Sequence, residues 1–191
     1  SYANADMSST LSKKDLDGAQ VYTATNLAST YVENLGNGKF KSKSLPLQAQ
    51  FSPIYGMQVH DYNADGRLDV LVAGNHFSVE PFMGRYDAFV GLCLLGDGQG
   101  NFKTVPTNES GLDISGDAKG MATIQSASGE KSILVGQNSG TLQSYSYGAK
   151  MEQLMANPMD AYAIVHLKNG SSFKTEFYYG GSYLSHSSRS L

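Results

Sequence analysis

Gly56-Met-Gln-Val-His-Asp-Tyr-Asn-Ala-Asp-Gly-Arg-Leu-Asp-Val-Leu-Val-Ala-Gly-Asn75 is the stretch on which the fold of this chain turns. It aligns, with one gap, to Gly120-Met-Ala-Thr-Ile-Gln-Ser-Ala-Ser-Gly-Glu-Lys-Ser-Ile-Leu-Val-Gly-Gln-Asn138 further along the chain. Each copy places extended, apolar-rich runs on either side of a polar turn, which reads as two strands joined by a hairpin. A second echo flanks the first: Gly36-Asn-Gly-Lys-Phe40 matches Gly98-Gln-Gly-Asn-Phe102 at nearly the same offset. A strand-built unit of this size cannot bury its faces alone, so its repetition predicts blades of a β-propeller-like array. Two to three blades fit in 191 residues, whereas propellers typically carry about 4 to 8. The chain therefore reads as a piece of a longer protein, or as a departure from closed geometry. Open blades leave strand edges unpaired, which predicts self-association.

Composition agrees with many short strands and tight turns. Gly, Ser and Asn number 21, 24 and 11, and there are 12 Tyr, 8 Phe and no Trp. Only 16% of residues are charged, with 14 basic against 17 acidic side chains and a net charge of −3. Nucleic-acid binding asks for a basic stripe to neutralise phosphates, and this sparse, net-negative charge argues against it. The most apolar run, Phe89-Val-Gly-Leu-Cys-Leu-Leu95, is far shorter than the roughly 20 residues of a membrane-spanning helix and reads as a buried strand. It holds the single cysteine, Cys93, which reads as a small buried hydrophobe. The chain starts at Ser1 without a basic and then apolar leader, so a secretion signal is expected to have been removed or to lie outside this sequence. Residues 1–30 differ from the rest. Ser12-Lys-Lys-Asp15 has the form of a capping box, with Leu16, Ala19, Gln20, Thr23 and Ala24 following at helical spacing, and predicts one short helix. Turns are expected at Asn37-Gly38, at Asp97–Asn101 and at Asn169-Gly170, because such residues supply the positive φ of hairpins.

The first hairpin of the repeat carries the chemistry. Asp61-Tyr-Asn63-Ala-Asp65-Gly66-Arg67-Leu-Asp69 places oxygen-bearing side chains at positions 1, 3, 5 and 9, with glycine at the sharp turn. Alternate residues of a tight loop point inward together, and hard oxygens at that spacing suit Ca²⁺, which takes about 6 to 8 of them. The ligands assigned are the side chains of Asp61, Asn63, Asp65 and Asp69, with the Arg67 carbonyl between. The loop is no EF-hand: its twelfth position is Val72, and it runs into the strand-like Val70-Leu-Val72. The second copy has Gln125 in place of Asp61 and Ser132 in place of Asp69, and is expected to bind no metal.

On these residues the sequence resembles the FG-GAP, or VCBS, repeats of integrin-α-like β-propellers, in which Asp-x-Asx-x-Asp-Gly-x-x-Asp between two strands binds calcium. The resemblance covers residues 31 to 105 and continues more weakly to 147. The tail Glu176-Phe-Tyr-Tyr-Gly-Gly-Ser-Tyr-Leu-Ser-His-Ser-Ser-Arg-Ser-Leu191 is similar to the ASPIC/UnbV segment that follows such repeats, with His186 where glutamine is expected. The resemblance implies a secreted or cell-envelope protein, bacterial in origin, and no particular reaction. The expected organisation is all-β: a helical lead-in over 1–30, FG-GAP/VCBS-like blades over 31–150 and a truncated ASPIC/UnbV-like β segment over 151–191.

Enzyme signatures are missing. His60, His76, His166 and His186 lack the paired spacing of a zinc site, and Gly-x-Ser-x-Gly is absent. Ser-x-x-Lys occurs at Ser128–Lys131 and Ser171–Lys174, both in turn-rich contexts without companion motifs. Gly96-Asp-Gly-Gln-Gly100 lacks the Gly-Lys-Ser/Thr of a phosphate loop and leads into a strand. The function expected is a calcium-binding, non-catalytic binding or scaffolding module for protein or glycan partners at the cell surface; the alternatives are a fragment of a glycan-active hydrolase and a purely structural spacer. The connection 76–87 is too long for a tight hairpin and holds Phe77, Phe82, Met83, Arg85 and Tyr86, types enriched at binding hot spots. Phe77, Phe82, Arg85 and Tyr86 are the partner-binding candidates. The competing reading has Phe82 and Tyr86 folding back onto a blade while Arg85 pairs with Asp87 or Glu80.

Overall fold

A computed structural model describes residues 4–148, 154–166, 170 and 172–190. The chain is all-β, with strands in small antiparallel sheets and a few one-turn helices. The lead-in forms α1 (Met7–Thr10) and α2 (Lys13–Leu16). The Ser12–Asp15 capping box is formed, yet the helix ends at Leu16 instead of running on through Ala24. No buried residue lies on either turn, and a short helix without a packed face has little to hold it in water.

The strands are β1 (Thr30–Gly36), β2 (Lys39–Ser44), β3 (Ile54–His60), β4 (Asp69–Gly74), β5 (Leu92–Gly96) and β6 (Phe102–Val105), then β7 (Ala118–Gln125), β8 (Lys131–Gln137), β9 (Gln143–Tyr147), β10 (Tyr162–His166) and β11 (Ser172–Glu176), with the one-turn α3 (Thr107–Ser110) before β7. They pair as β1-β2, as the four-stranded meander β3-β4-β5-β6, as β7-β8-β9 and as β10-β11. Asn37 and Gly38 take φ of 52° and 71° in the β1-β2 turn, and Gly98 and Gly100 are likewise left-handed in the β5-β6 turn. Asn169, in the turn expected between β10 and β11, lies outside the described residues, as do Ser171 of the second Ser-x-x-Lys and residues 149–153 at the expected domain boundary.

Register reproduces the internal match of the sequence. In β3-β4, Met57 faces Val72, Val59 faces Val70 and His60 faces Asp69; in β7-β8, Met121 faces Val135, Thr123 faces Ile133 and Ile124 faces Ser132. Each pair of the first hairpin recurs in the second at a constant offset, shorter by one position on the second strand because of the gap in the turn. Even the irregularity coincides, at Ile54/Gly56 and at Ala118/Gly120. Likewise the pairs Tyr31–Lys43, Val32–Ser42, Glu33–Lys41 and Asn34–Phe40 of β1-β2 recur at one fixed offset as Cys93–Val105, Leu94–Thr104, Leu95–Lys103 and Gly96–Phe102 of β5-β6.

Alternation along β4 and β5 feeds two cores. Leu71, Ala73 and Cys93 join Leu112, Ile114, Met121, Ile133 and Val135 between the two larger sheets, while Val72, Leu92 and Leu94 pack with Ala49 and Phe89 on the other face. The run 89–95 is buried at Phe89 and Gly91–Leu94. Burial pushes the Cys93 thiol up to about 11, which keeps it protonated and inert. Between the sheets β3 lies against β7, and a Cβ at Gly56 would sit 2.8 Å from Met121 Cβ; only glycine allows that approach. Gln58 spans the same seam, donating to the Met121 carbonyl at 2.7 Å and accepting from Thr123 Oγ1 at 2.9 Å.

The free edge of β7 is covered by the C-terminal segment through serine side chains and a backbone hydrogen bond. Met121 and Thr123 donate their N–H groups to Ser185 Oγ and Ser187 Oγ at 2.9 and 3.0 Å, and Ser188 N–H donates to the Thr123 carbonyl at 2.8 Å. Serines at alternate positions thus serve alternate N–H groups of a strand, which blunts an edge otherwise open to pairing. Arg189 ties this segment down: its guanidinium donates to the carbonyls of Asn157, Pro158 and Asp160 and lies 4.1 Å from the Tyr179 ring centre. Among the described residues no helix is long and apolar enough to cross a membrane.

Candidate metal centre

The loop between β3 and β4 is organised by its own oxygens. Asp61 accepts the N–H of Asp65 at 3.1 Å on one oxygen and that of Gly66 at 2.8 Å on the other. Asn63 Oδ1 accepts the same Asp65 N–H at 3.1 Å, and the Asn63 amide donates to Asp65 Oδ2 at 3.0 Å. Ala64 and Gly66 turn the chain with φ of 60° and 84°. Asp61, Asn63 and Asp65 are thereby drawn together around the Asp65 N–H and the Asn63 amide. Asp65 also accepts the Arg67 N–H at 2.9 Å and holds its guanidinium at 2.6 Å. Some desolvation opposes ionisation of Asp65, but the Arg67 N–H, the Asn63 amide and the Arg67 charge outweigh it and keep the carboxyl below its ordinary range. The Arg67 side chain, in a residue assigned from sequence for its carbonyl alone, is thus a counter-ion inside the loop. Its signal in the sequence is its place two positions after an aspartate in a tight turn.

Asp69 differs from the other acids. It is fully buried; one oxygen accepts the Tyr62 N–H at 3.0 Å and the other the Gly96 N–H at 2.9 Å. It ties the loop to the start of the distant β5-β6 turn. Beside it, His60, Tyr62 and Tyr147 form a ring cluster with centroids 5.0 to 5.5 Å apart. The Tyr62 hydroxyl is buried without a hydrogen-bond partner among the described residues. Burial pushes that hydroxyl far up, and burial together with the Lys131 charge lowers the His60 imidazole. The donor types are those of a hard cation: the oxygens of Asp61 and Asp69 and Asp65 Oδ1 each keep a lone pair beyond the one N–H they accept, whereas Asp65 Oδ2 is taken by both the Asn63 amide and the Arg67 guanidinium. Among the described residues no three His, Cys, Asp or Glu side chains stand close enough together to be grouped as a metal centre. In the second copy the corresponding turn is closed by Ser126 N–H donating to the Glu130 carbonyl at 2.9 Å, with no acid in the place of Asp61 or Asp69.

The neighbouring β5-β6 turn has an anchor of its own. Asp97 accepts the Asn101 side-chain amide at 2.6 Å and the N–H groups of Gln99 and Asn101 at 2.7 and 3.0 Å, and these bonds, the Asn101 amide foremost, lower it to about 2. A depressed carboxyl stabilises the fold above its unfolded value and ceases to do so as pH falls through its folded value. The Asp97 contribution is therefore present above 3.8 and lost on acidification towards about 2. Carbon-detected NMR titration should place the Asp97 midpoint near that lower value, and Asn101→Ala should move it up; a wild-type midpoint at the ordinary value would remove this anchor.

The partner-binding candidates lie at the far end of β4, roughly 17 Å from the loop at about 3.3 Å per residue. The connection 75–91 opens with His76 bridged to Tyr86. The Arg85 guanidinium stacks 5.0 Å from the Phe77 ring centre instead of pairing with Asp87 or Glu80. Phe82 is 83% exposed and Met83 63%, so Phe82 does not fold back onto the sheet, while Tyr86 is half exposed. Phe77, Arg85 and Tyr86 are thus held near the base of the connection, and Phe82 stands at its tip.

Two further residues matter here that the sequence reading passed over. Asn75 is fully buried and donates to the carbonyls of Phe89 and Gly116 at 2.7 and 3.0 Å while accepting the Phe89 N–H at 3.1 Å. Lys119 pairs with Asp117 at 2.6 Å, donates to the Asn75 carbonyl at 2.8 Å and sits 4.0 Å from the Tyr55 ring centre. The partners of Asn75 lie far from it along the chain, so no local pattern announces them. In comparisons with known proteins, no family model, no curated protein and no solved structure matches the chain.

Proposed function

We propose that this chain is a calcium-stabilised, non-catalytic β-repeat module of the FG-GAP/VCBS kind with an ASPIC/UnbV-like C-terminal segment, binding or scaffolding protein or glycan partners at a bacterial cell envelope or outside the cell. The observation that carries the metal reading is the meeting of Asp61 Oδ1 and Asn63 Oδ1 on a single N–H, each at 3.1 Å. Asp61, Asn63, Asp65, the Arg67 carbonyl and Asp69 would hold the ion. When bound, calcium supplies charge neutralisation and cross-links the loop; it takes no part in a reaction. The loop holds three carboxylates and one guanidinium, and Arg67 pairs with Asp65, so the loop carries net negative charge that a divalent cation offsets better than Arg67 alone. The recurring register of β3-β4 and β7-β8 supports the repeat, and the exposure of Phe82 and Met83 supports partner use of the 75–91 connection.

Calorimetric titration with calcium tests the proposal. One site is expected, with a gain of about 2.7 kcal/mol at a hundredfold excess over Kd, which at this chain length raises Tm by roughly 5 to 10 °C. Asp61→Ala should abolish both heat and shift, and Ser132→Ala should change neither. Arg67→Ala frees the Asp65 Oδ2 lone pair that its guanidinium takes and should tighten binding. Identical isotherms for wild type and Asp61→Ala would end the metal assignment.

A further inference from the structure

We infer that the free edge of β1 is a strand-accepting surface whose occupant is an extended, aliphatic strand of the β4 type, aligned antiparallel to β1. The inference rests on the repeat geometry and not on calcium. β1-β2 has the register of β5-β6, pair for pair. In the complete sheet β5 has a second neighbour: Leu94 faces Val70, Cys93 faces Leu71 and Leu92 faces Val72. The corresponding β1 residues are Val32, Tyr31 and Thr30, and among the described residues β1 pairs with β2 alone.

Burial reports the same open edge on the sheet face. Leu94 is fully buried, whereas Val32, its counterpart, is 55% exposed. Tyr31, on the opposite face, is already engaged, lying edge-on to Phe102 with ring centres 5.7 Å apart. A strand added at this edge would lay one side chain beside Val32 and another beside Thr30, the places that Val70 and Val72 take beside Leu94 and Leu92. β-branched aliphatic residues there would bury the exposed Val32 surface, while backbone hydrogen bonds would supply affinity in the manner of strand addition. The required occupant therefore reads Val-x-Val or its equivalent, with an aliphatic residue between.

The probe is a fluorescein-labelled synthetic peptide with the sequence of residues 68–75, Leu-Asp-Val-Leu-Val-Ala-Gly-Asn, titrated into the whole chain and followed by anisotropy. Saturable one-to-one binding is expected, weakened at least tenfold by Val32→Lys. The same weakening is expected when alternate peptide amides are N-methylated, which removes the donors a ladder needs. Val59→Lys, on a β3 residue of similar exposure (50%), should leave binding unchanged, and because neither valine is buried, both variants should keep the wild-type melting curve. Absence of saturable binding, or equal binding to Val32→Lys, would overturn the inference. So would a dimer by sedimentation that Val32→Lys dissociates but the peptide does not, since the occupant would then be a second copy. The titration should give one result in calcium and in EDTA, so failure of the metal proposal leaves this one standing, and the reverse.

Discussion

Asp69→Ala is expected to destabilise the chain by about 3 to 5 kcal/mol, measured in EDTA so that no metal contributes. The carboxylate is fully buried and is the acceptor for two backbone N–H groups, of Tyr62 at 3.0 Å and Gly96 at 2.9 Å. Removing it leaves both donors without a partner, and an unsatisfied buried donor costs about 1 to 3 kcal/mol; truncation also leaves a small void. Asp69→Asn should recover only part of the loss. Its carbonyl serves one N–H, but its amide then faces the other, donor against donor. Urea unfolding gives the test: the midpoint should fall while the slope stays constant. A loss below about 1 kcal/mol for the alanine variant would mean that Asp69 is dispensable to the fold and matters, if at all, only to a bound ion.

Asn75→Ala should cost about 3 kcal/mol, and Asn75→Gly should cost less, an order opposite to the usual one. Asn75 takes φ of 89° and is fully buried while serving both the N–H and the carbonyl of Phe89 and the carbonyl of Gly116. Alanine loses these bonds and must also adopt a positive φ that costs an L-residue about 1 kcal/mol or more. Glycine loses the bonds alone. The damage should be local as well: amide exchange at Phe89 should accelerate, because its N–H loses its acceptor, while strands β7 to β9 keep their protection. Equal losses for Ala and Gly would show that the φ requirement carries no weight; wild-type stability in both would remove Asn75 as the anchor of the 75–91 connection.

Asn75 also shows where reading stops. Its counterpart in the second copy, Asn138, binds Asp117 through its side chain at 3.1 Å, and both residues use their N–H in the same way, on the carbonyls of Pro53 and Asp117. The two asparagines that close the internal alignment thus share a backbone role while their side chains take different partners. The 75–91 connection is far longer than the 138–142 connection between β8 and β9, and Asn75 found its partners within that extra length and in the chain beyond it.

The sequence by itself determined the all-β class, the hairpin turns at Asn37-Gly38 and Asp97–Asn101, the buried run through Cys93 and the gathering of Asp61, Asn63 and Asp65 in one turn. Each of these follows from interactions between near neighbours in the chain: side-chain period, φ preference and side chain to backbone bonds two to five positions apart. Only the tertiary structure decided that β3 packs on β7 through Gly56, that serines near the C-terminus cover the β7 edge, that Asp69 ties its loop to Gly96 and that the helix begun at Lys13 stops after one turn. Those outcomes depend on which surfaces remain unburied once the hairpins have formed. Contacts such as Ser187 Oγ to Gln58, at 3.1 Å between residues 129 positions apart, are selected by complementarity between whole elements, and no local pattern in the chain encodes that.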